Sequence, residues 1–466
     1  MSNVPNVAHR TMFTRDNLEI LRGIDDESID LIYLDPPFNS KHDYAAPIGS
    51  EAAGAAFKDT WTLQDIDVEW IGLIADEYPN LSAILDAVPN KSDKAYLVYM
   101  AVRLIEMQRV LKSTGSLYLH CDPTMSHYLK VVMDAIFGKS KFRNEIYWRR
   151  KTGRAGPTNR FGTSCDILLW FSKSSNYTFA VQYRENNPEY IAKMFRYSDE
   201  NGRRYRIDNL ASPNPRPNLT YEYKGYKPPS KGWAISREKM EQWDKEGRLH
   251  FPNSYDGRIQ RKRYLDELKG EVVPSLWDDI PAIGAQAKER VGYPTQKPLA
   301  LLERIIKASS NEGDFVLDPF CGCATACVAA EKLGRQWIGI DISPKAAELV
   351  KLRAERELTD LLSSQGARIY EIIHCTGIPR RSGAVVRPRD VKHKLYGEQE
   401  GMCKACEQHF EFRHFHVDHV IPRSRGGQDV EGNLQLLCGS CNVIKGDRDM
   451  SYLRERLKGN RYQLGD

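Results

Sequence analysis

The sequence predicts an α/β fold built on a parallel sheet, followed by a small cysteine-rich domain at the carboxyl end. Short apolar runs such as Leu31–Leu34 and Phe315–Leu317 alternate with longer segments in which apolar residues recur at helical spacing. Both runs are followed by an aspartate and a proline, as suits strands that stop at the ligand-binding edge of an open sheet. Near the carboxyl end, two Cys-x-x-Cys pairs within residues 403–441 predict a separate, metal-stabilised domain.

The composition is that of an ordinary globular protein of two or three domains. The chain has 466 residues, 41% of them hydrophobic and 28% charged. Its formal net charge of +5 does not by itself indicate a nucleic-acid partner. No apolar run has membrane-spanning length, and polar residues interrupt any signal-peptide pattern at the amino end. We therefore expect a cytoplasmic protein without a membrane partner, whose ten cysteines do not form disulfides.

The first chemical site follows the strand at Leu31–Leu34. Pro36 and Pro37 cannot continue a central strand, so Asp35 and Phe38 are expected on a stiff loop at its carboxyl end. An aromatic amino group is a poor nucleophile. The Asp35 carboxylate and the Pro36 carbonyl can accept its hydrogen bonds while Phe38 stacks on the base. The loop therefore suits transfer to an exocyclic amino group. The alternative is a plain proline turn in which Asp35 is a turn or cap residue.

The remaining chain continues the alternation, apart from a polar, irregular stretch at 40–92 whose role the sequence does not reveal. Predicted helices lie at 16–24, 95–111, 128–137, 298–309 and 325–333, and further predicted strands lie at 115–120, 166–171 and 336–340.

Two segments stand out by composition. Residues 139–160 combine many lysines and arginines with Tyr147, Trp148 and a single acid, Glu145. That mixture fits a phosphate-contacting loop, and the alternative is a solvated face. Residues 180–285 are rich in Asn, Pro, Tyr, Lys and Arg with weak periodicity, which suits an inserted recognition region.

The second chemical site follows the strand at Phe315–Leu317. A turn of small residues leads into a helix, and the next strand ends in Asp341, nineteen residues after Gly322 (341 − 322). Small residues let backbone amides approach a ligand, and an acid at that spacing can hold ribose hydroxyls, as in dinucleotide-binding folds. The alternative is a crossover connection without a ligand.

Three motifs resemble those of the beta-class amino DNA methyltransferases, which use S-adenosylmethionine. Asp35-Pro-Pro-Phe38 is similar to their catalytic loop, Asp318-Pro-Phe-Cys-Gly322 to their cofactor loop, and Tyr293-Pro-Thr-Gln-Lys-Pro298 to the segment that precedes the cofactor loop. The order along the chain also matches. The resemblance implies a Rossmann-like methyltransferase domain at 1–372 with a target-recognition region at about 180–285. Its partner would be double-stranded DNA with the target base flipped out.

The same resemblance implies roles for individual residues. The catalytic residues are Asp35, Pro36, Pro37 and Phe38, and the cofactor-binding residues are Asp318, Phe320, Gly322, Asp341, Thr295 and Lys297. Thr295 and Lys297 are expected near the methionine end of the cofactor. Ala324 stands where the family loop has a second glycine, so it would be strained if that position needs a positive φ. Cys321 and Cys323 are expected to be packing residues.

A basic linker at 373–395 is predicted to lead into a domain at 396–466 that resembles the HNH nucleases, with their ββα-metal fold. The resemblance rests on the two cysteine pairs and on the string Val417-Asp418-His419-Val420-Ile421-Pro422 between them. It implies that four cysteines hold a structural zinc ion. They are Cys403, Cys406, Cys438 and Cys441.

The HNH resemblance also implies a catalytic site between and just after the cysteine pairs. His419 is the expected general base, and Asp418 and Asn442 are the expected ligands of one hydrated Mg²⁺. Asn433 is expected to fix the loop that carries His419, and Lys445 to contact phosphate.

The leading interpretation is one chain that methylates DNA and also cuts it, as in a single-chain restriction–modification protein. One alternative is a DNA methyltransferase whose zinc domain only binds DNA. Another is an amino methyltransferase that acts on RNA or protein. Asp35 at the head of the catalytic loop favours adenine N6 over cytosine N4. The sequence leaves open whether the chain forms a homodimer.

Overall fold

A computed structural model describes most of the chain. It covers residues 5–47, 49–57, 59–61, 74, 75, 77–150, 159–363, 371–379, 381, 392, 395, 396, 399–427 and 433–461. Most of the basic linker predicted at 373–395, and residues 151–158 of the basic run predicted at 139–160, therefore lie outside the described residues.

Strands and helices are numbered in chain order over the described residues. The strands are β1 (Thr11–Thr14), β2 (Ile29–Leu34), β3 (Tyr44–Ala45), β4 (Ala56–Phe57), β5 (Leu111–Cys121), β6 (Phe142–Arg149), β7 (Cys165–Ser172), β8 (Tyr183–Arg184), β9 (Tyr197–Ser198), β10 (Arg204–Asn209), β11 (Leu249–His250), β12 (Gln260–Tyr264), β13 (Glu271–Val272), β14 (Leu276–Trp277), β15 (Phe315–Asp318), β16 (Gln336–Asp341), β17 (Ile373–Cys375), β18 (Phe415–His419) and β19 (Leu434–Cys438). The helices are α1 (Asn17–Gly23), α2 (Pro79–Asp86), α3 (Lys91–Val110), α4 (Ser126–Phe137), α5 (Pro188–Met194), α6 (Arg237–Lys245), α7 (Leu299–Ser309), α8 (Thr325–Lys332), α9 (Pro344–Ser363), α10 (Gly439–Lys445) and α11 (Met450–Arg461).

Nine of the described strands form one mixed sheet in the order β14-β6-β7-β5-β2-β15-β16-β1-β17. Strand β2 lies in its middle, parallel to β5 on one side and to β15 on the other. One strand departs from the predicted parallel arrangement, because β7 runs antiparallel to both β5 and β6. Consecutive strands that pair antiparallel need no crossover helix, and the apolar pattern of a buried strand carries no information on its direction.

Local sequence explains how the helices begin and where they pack. The side chain of Asp16 caps α1 by accepting from the amide of Leu18, and Asn90 caps α3 by accepting from the amides of Ser92 and Asp93. Helices α1, α3 and α4 bury their apolar faces in one core with strands β2, β5 and β7. None of the described helices combines the length and the apolar character that a membrane crossing requires.

Two predicted loops are partly strand. The basic run at 139–160 contains β6, where Ile146 and Trp148 are buried and their neighbours Tyr147 and Arg149 are exposed. This alternation places one side of β6 in the core, so the phosphate-contacting loop predicted there is not a loop over residues 142–149. The start of the predicted linker likewise forms β17, which pairs with β1.

Residues Val181–Val273 form a second compact unit. A four-stranded sheet in the order β11-β12-β10-β9 packs beside a core that includes Trp233, Met240 and Ile259. The unit falls within the recognition region predicted at 180–285, whereas β14, from the end of that region, belongs to the main sheet. A role in sequence recognition stays a prediction.

Near the carboxyl end, β18 and β19 pair antiparallel and α10 follows directly. Phe412, Phe415, Leu436, Leu437 and the cysteines at 403, 438 and 441 contribute to its small core. The arrangement of two strands and a helix agrees with the predicted ββα domain. The predicted combination of an α/β domain with a small ββα domain is therefore confirmed.

Candidate functional site

The sequence-predicted methyltransferase residues meet at the carboxyl ends of neighbouring strands. Asp35 follows β2, Asp318 ends β15 and Asp341 ends β16, and these three strands are adjacent and parallel. A cavity of about 380 Å³ opens there. Ten predicted residues line it: Asp35, Pro36, Pro37, Phe38, Thr295, Lys297, Asp318, Phe320, Gly322 and Asp341. The structure thus brings together segments far apart in the chain, and the roles of these residues stay predictions.

One oxygen of Asp35 is held by a lysine and the other is not. Lys297 Nζ lies 2.5 Å from Asp35 Oδ2 and also donates to the carbonyl of Thr295 at 3.3 Å. Asp35 Oδ1 is buried and has no hydrogen-bond partner among the described residues. A buried acceptor without a partner is costly unless a ligand supplies a donor. Lys297, which the family resemblance places at the methionine end of the cofactor, therefore binds Asp35 of the catalytic loop.

A buried carboxylate that the sequence did not single out fixes the end of the catalytic loop. Asp59 accepts hydrogen bonds from the backbone amides of Asn39, at 2.6 Å, and Ser40, at 2.8 Å. Asn39 has a positive φ of 58° and donates from its side chain to Asp93. Asp59 lies in the polar stretch at 40–92, where neither spacing nor periodicity marks it. This clamp explains how a loop with a left-handed residue keeps one conformation.

The turn between β15 and α8 brings backbone amides to the cavity. Gly322 has a φ of +52°, and a Cβ there would lie 3.0 Å from the ring of Tyr293. The amide of Gly322 donates to Asp341 Oδ2 at 2.8 Å, and the amide of Ser343 donates to Oδ1 at the same distance. A carboxylate offers about four lone-pair sites. Asp341 therefore keeps acceptor capacity for ligand hydroxyls.

The cavity is acidic. Burial raises the pKa of Asp318 well above its usual range, and the amide of Phe320 opposes this shift. Burial also raises the pKa of Asp341, against the bonds from Ser343 and Gly322. Five aspartates line this cavity, Asp16, Asp35, Asp59, Asp318 and Asp341, against two basic residues, Arg15 and Lys297. A cationic ligand with hydroxyl groups fits these donors and acceptors, and S-adenosylmethionine, with its sulfonium and ribose, has that chemistry.

Ala324 adopts the left-handed conformation, with φ of 62° and ψ of 30°. The strain expected for an alanine at this position of the family loop is therefore present. We expect Ala324→Gly to raise the free energy of unfolding by about 0.5–1 kcal/mol, because glycine lacks the Cβ clash but gives up more chain entropy. Urea titration would measure it. The control is Ala326→Gly, inside helix α8, which should lower the same quantity by a similar amount. If both substitutions changed the free energy of unfolding in the same direction, the strain assigned to Ala324 would be contradicted.

The carboxyl-terminal domain holds a cluster of four thiols. The Sγ atoms of Cys403, Cys406, Cys438 and Cys441 all lie within 4.8 Å of one another. A tetrahedral zinc ion with Zn–S bonds of about 2.3 Å would separate its sulfurs by about 3.8 Å. The Cys406–Cys438 sulfur distance is 3.9 Å. The geometry fits a metal ion held by four thiolates, as the sequence predicts.

The other predicted residues of this domain lie around β18. Asn433 clamps Ile421 by accepting from its amide at 2.8 Å and donating to its carbonyl at 3.1 Å. This contact agrees with the predicted role of fixing the segment after His419. Lys445, for which a phosphate contact is predicted, is buried beside Asp418. Its ammonium is fully buried, lies 3.0 Å from a carboxylate oxygen of Asp418 and donates to the carbonyl of His419 at 2.8 Å.

The Asp418–Lys445 pair affects the predicted magnesium site. Gln435 also donates to Asp418, at 2.9 Å, so both of its oxygens have partners. A buried ammonium neutralises the carboxylate and repels a second cation. Asn442, the other predicted ligand, is half-buried on α10. A hydrated Mg²⁺ at Asp418 would have to displace Lys445 or Gln435, so binding of this ion by Asp418 and Asn442 stays a prediction.

Comparison with known proteins identifies two families along the chain. Residues 29–352 match the DNA methylase family, and residues 403–448 match the HNH endonuclease family. The Type II methyltransferase M.EcaI of Enterobacter cloacae is 34% identical over 264 residues, which are 56% of this chain and 58% of that protein. The DNA adenine methyltransferase YhdJ of Escherichia coli is 26% identical over 348 residues, or 74% of this chain and 82% of that protein.

A solved structure, PvuII DNA methyltransferase (cytosine-N4-specific), aligns with 78% of this chain and 94% of its own, at 14% identity and a TM-score of 0.39. The chain thus spans less than two thirds of M.EcaI but most of YhdJ. The family match covers more than half of the chain and includes every cavity residue predicted at the methyltransferase site. The chain belongs to the DNA methylase family and carries an HNH endonuclease domain at its carboxyl end.

Proposed function

We propose that the chain transfers a methyl group from S-adenosylmethionine to an exocyclic amino group of a base in double-stranded DNA. The observation that carries the proposal is the buried, unpartnered Oδ1 of Asp35, which faces the same cavity as the acids of the cofactor turn. An amino group of a flipped-out base would supply the missing donor. A cytoplasmic location belongs to the same proposal.

The side chains then have separate tasks. When bound, S-adenosylmethionine supplies an electrophilic methyl group. Asp341 accepts from the ribose hydroxyls with its remaining lone pairs. Asp35 Oδ1 and the carbonyl of Pro36 accept from the target amino group and localise its lone pair, while Lys297 holds Oδ2 and prevents the carboxylate from turning away. After transfer, the amine nitrogen loses a proton, and Asp35 is the acceptor that we propose for it.

Adenine N6 is the acceptor that we propose. The support is the aspartate at the head of the catalytic loop and the relative YhdJ, whose name states adenine as its target. The direct experiment incubates the chain with labelled S-adenosylmethionine and unmethylated duplex DNA, RNA or a protein mixture, and then separates the nucleosides of the labelled product. Label in N6-methyladenine from DNA is expected. Label in N4-methylcytosine would overturn the base assignment, and label only in RNA or protein would overturn the DNA proposal.

Asp341→Ala is expected to weaken cofactor binding by roughly 1.5–3 kcal/mol, about 10- to 150-fold in Kd, because a hydroxyl pair loses its charged acceptor. Calorimetric titration with S-adenosylmethionine would measure this. The matched control is Asp314→Ala, at the opposite end of the neighbouring strand and outside the cavity. An unchanged Kd for Asp341→Ala would place the ribose elsewhere.

For the carboxyl-terminal domain we propose zinc in the four-cysteine cluster and Mg²⁺-dependent cleavage of DNA with His419 as general base. The HNH match and the Asn433 clamp support this. A second candidate function is DNA binding without cleavage. The buried ammonium of Lys445 favours this second function, because it neutralises Asp418 where a metal ion is expected. In either case we propose that the region around 181–273 selects the site, and a homodimer stays a prediction.

His419→Ala separates the two candidates. If the domain cuts, the variant should lose Mg²⁺-dependent cleavage of plasmid DNA by about 10²- to 10⁴-fold and keep its full methylation rate, because a general base contributes about that factor. Agarose electrophoresis and labelled methyl transfer on the same preparation would measure both. The control is His416→Ala, an exposed histidine three residues earlier on β18. If the intact chain never nicks or cuts DNA, methylated or not, the DNA-binding function replaces the nuclease.

A further inference from the structure

A fully buried histidine lies directly behind the aromatic ring of the catalytic loop. The ring of Phe38 stacks on the imidazole of His120 with a centroid distance of 5.8 Å and an interplanar angle of 20°. His120 is on β5, is 0% exposed and does not line the cavity, whereas Phe38 does. The imidazole therefore touches the side chain expected to stack on the base without itself reaching a ligand.

Hydrogen bonds at opposite ends hold the imidazole ring. The hydroxyl of Tyr33 lies 3.0 Å from His120 Nδ1, and Asp166 Oδ2 lies 3.2 Å from Nε2. Tyr33 is on β2, two residues before Asp35, and Asp166 is on β7. The three side chains thus span three adjacent strands below the catalytic loop. With both nitrogens engaged, the imidazole can neither flip nor rotate without losing a buried hydrogen bond.

The protonation state of the network follows from its partners. Burial lowers the pKa of His120, and the nearby Lys297 lowers it further, so the imidazole is neutral. Burial raises the pKa of Asp166, but its bond with His120 and the charges of Lys297 and Arg150 outweigh this, and the net shift is downward. Asp166 is therefore an acceptor and Nε2 carries the hydrogen. It follows that Nδ1 accepts from the hydroxyl of Tyr33.

Burying such a polar network costs more free energy than filling the same space with apolar side chains. Burying a carboxylate and an imidazole costs desolvation that apolar side chains of similar volume would avoid. What the polar network adds is a fixed ring plane, since apolar side chains at these positions would not define one. Stacking on the imidazole fixes the orientation of the Phe38 ring. The Lys297 ammonium lies 5.1 Å from the Phe38 ring centroid and contacts the same ring.

We propose that His120, oriented by Tyr33 and Asp166, is a positioning residue that sets the plane of Phe38 so that this ring can stack on an extruded base. This inference rests on the proposed DNA methyltransferase function and deepens it. Asp35 would bind the amino group, and the His120 network would fix the platform on which the rest of the base lies. Catalysis would then depend on His120 and Asp166, which do not line the cavity, and on Tyr33, which lines it and bonds His120.

A matched pair of tyrosines tests the inference. Tyr33 and Tyr118 are register partners on β2 and β5, both buried, and the hydroxyl of Tyr118 bonds Ser309 instead, at 2.8 Å. Each Tyr→Phe change deletes one buried hydroxyl. Tyr33→Phe should lower the single-turnover rate of methyl transfer to duplex DNA about fivefold to tenfold, and Tyr118→Phe by less than about twofold. The Kd for S-adenosylmethionine should stay within about twofold of wild type for both.

A double-mutant cycle with Phe38→Leu shows whether the effect passes through Phe38. In the Phe38→Leu background, Tyr33→Phe should change the rate by less than about twofold, because no aromatic plane remains to be set. A second cycle combines His120→Leu with Phe38→Leu. In the Phe38→Leu background, His120→Leu should also change the rate by less than about twofold. A full loss from Tyr33→Phe in that background, or an equal loss from Tyr118→Phe, would overturn the inference and leave the proposed function standing. If the wild-type chain transfers no methyl group to DNA, both proposals fall.

Discussion

Replacing Asp35 by alanine is expected to abolish methyl transfer to DNA and to leave S-adenosylmethionine binding nearly intact. In the proposed function, the buried Oδ1 of this carboxylate accepts from the amino group, and the carboxylate then takes the released proton. Loss of such a group costs about 10²- to 10⁴-fold in rate. The cofactor turn and Asp341 lie on other strands and keep their own hydrogen bonds, so the cofactor Kd should change little.

Asp30→Asn is the matched control for Asp35. Asp30 lies on the same strand at the opposite end, is mostly buried and pairs with Lys112 at 2.8 Å. Its loss should lower stability without changing the transfer rate per folded molecule. Labelled-cofactor assays and calorimetric titration on both variants would provide the two readouts. If Asp35→Ala loses cofactor binding to the same degree as activity, the loop after β2 belongs to the cofactor and our assignment of it is wrong.

Much of the methyltransferase site could be predicted because its motifs are local. An apolar strand that stops at Asp35-Pro-Pro, or a small-residue turn after β15, signals a loop within a few residues of sequence. The order of strands at the sheet edge then brings Asp35, Asp318 and Asp341 to one cavity. Sequence reasoning needed no long-range information beyond the rule that parallel strands present their carboxyl ends together.

What could not be predicted depends on pairings between distant residues. Lys297 contacts Asp35 across 262 positions, and His120 and Asp166 sit inside apolar strands, where each looks like an isolated polar residue. Asp59 lies in a segment without periodicity. The direction of β7 could not be predicted either, since a strand buried on both faces has the same composition in either direction. Buried polar networks are specified by three-dimensional neighbours rather than by spacing.

The burial of Lys445 has the same origin. The motif of the carboxyl-terminal domain ends with a lysine near a charged site, and an exposed cation would suit phosphate. Its actual burial depends on how α10 packs against β18, with Cys441 and Lys445 both turned inward. The side chain that reads as a surface contact in sequence is an internal partner of Asp418 in the folded domain.

The second large effect is expected for Cys403→Ser, which should unfold the carboxyl-terminal domain and release its metal. Ten buried residues form the described core of this domain, and three of them are cluster cysteines. So small a core supplies little folding free energy on its own, whereas structural zinc contributes an apparent 10–16 kcal/mol, roughly, in comparable small domains. Removing one thiolate therefore removes the main source of stability, and residues 399–461 should become sensitive to protease.

The methyltransferase should survive this loss, because among the described residues only the partly buried Ile378 packs against both core clusters. Among the described residues, no buried member of the main core cluster comes from the carboxyl-terminal domain, although Arg22 on α1 lies 4.7 Å from the ring centroid of Phe412. The control is Cys165→Ser, a half-buried thiol on β7 outside the cluster, which should keep the metal. Elemental analysis should give one zinc per wild-type chain and none for Cys403→Ser, with methyl transfer at the wild-type rate in both. Wild-type protein without zinc would refute the metal assignment. Parallel loss of methyl transfer in Cys403→Ser would show that the two domains do not fold independently.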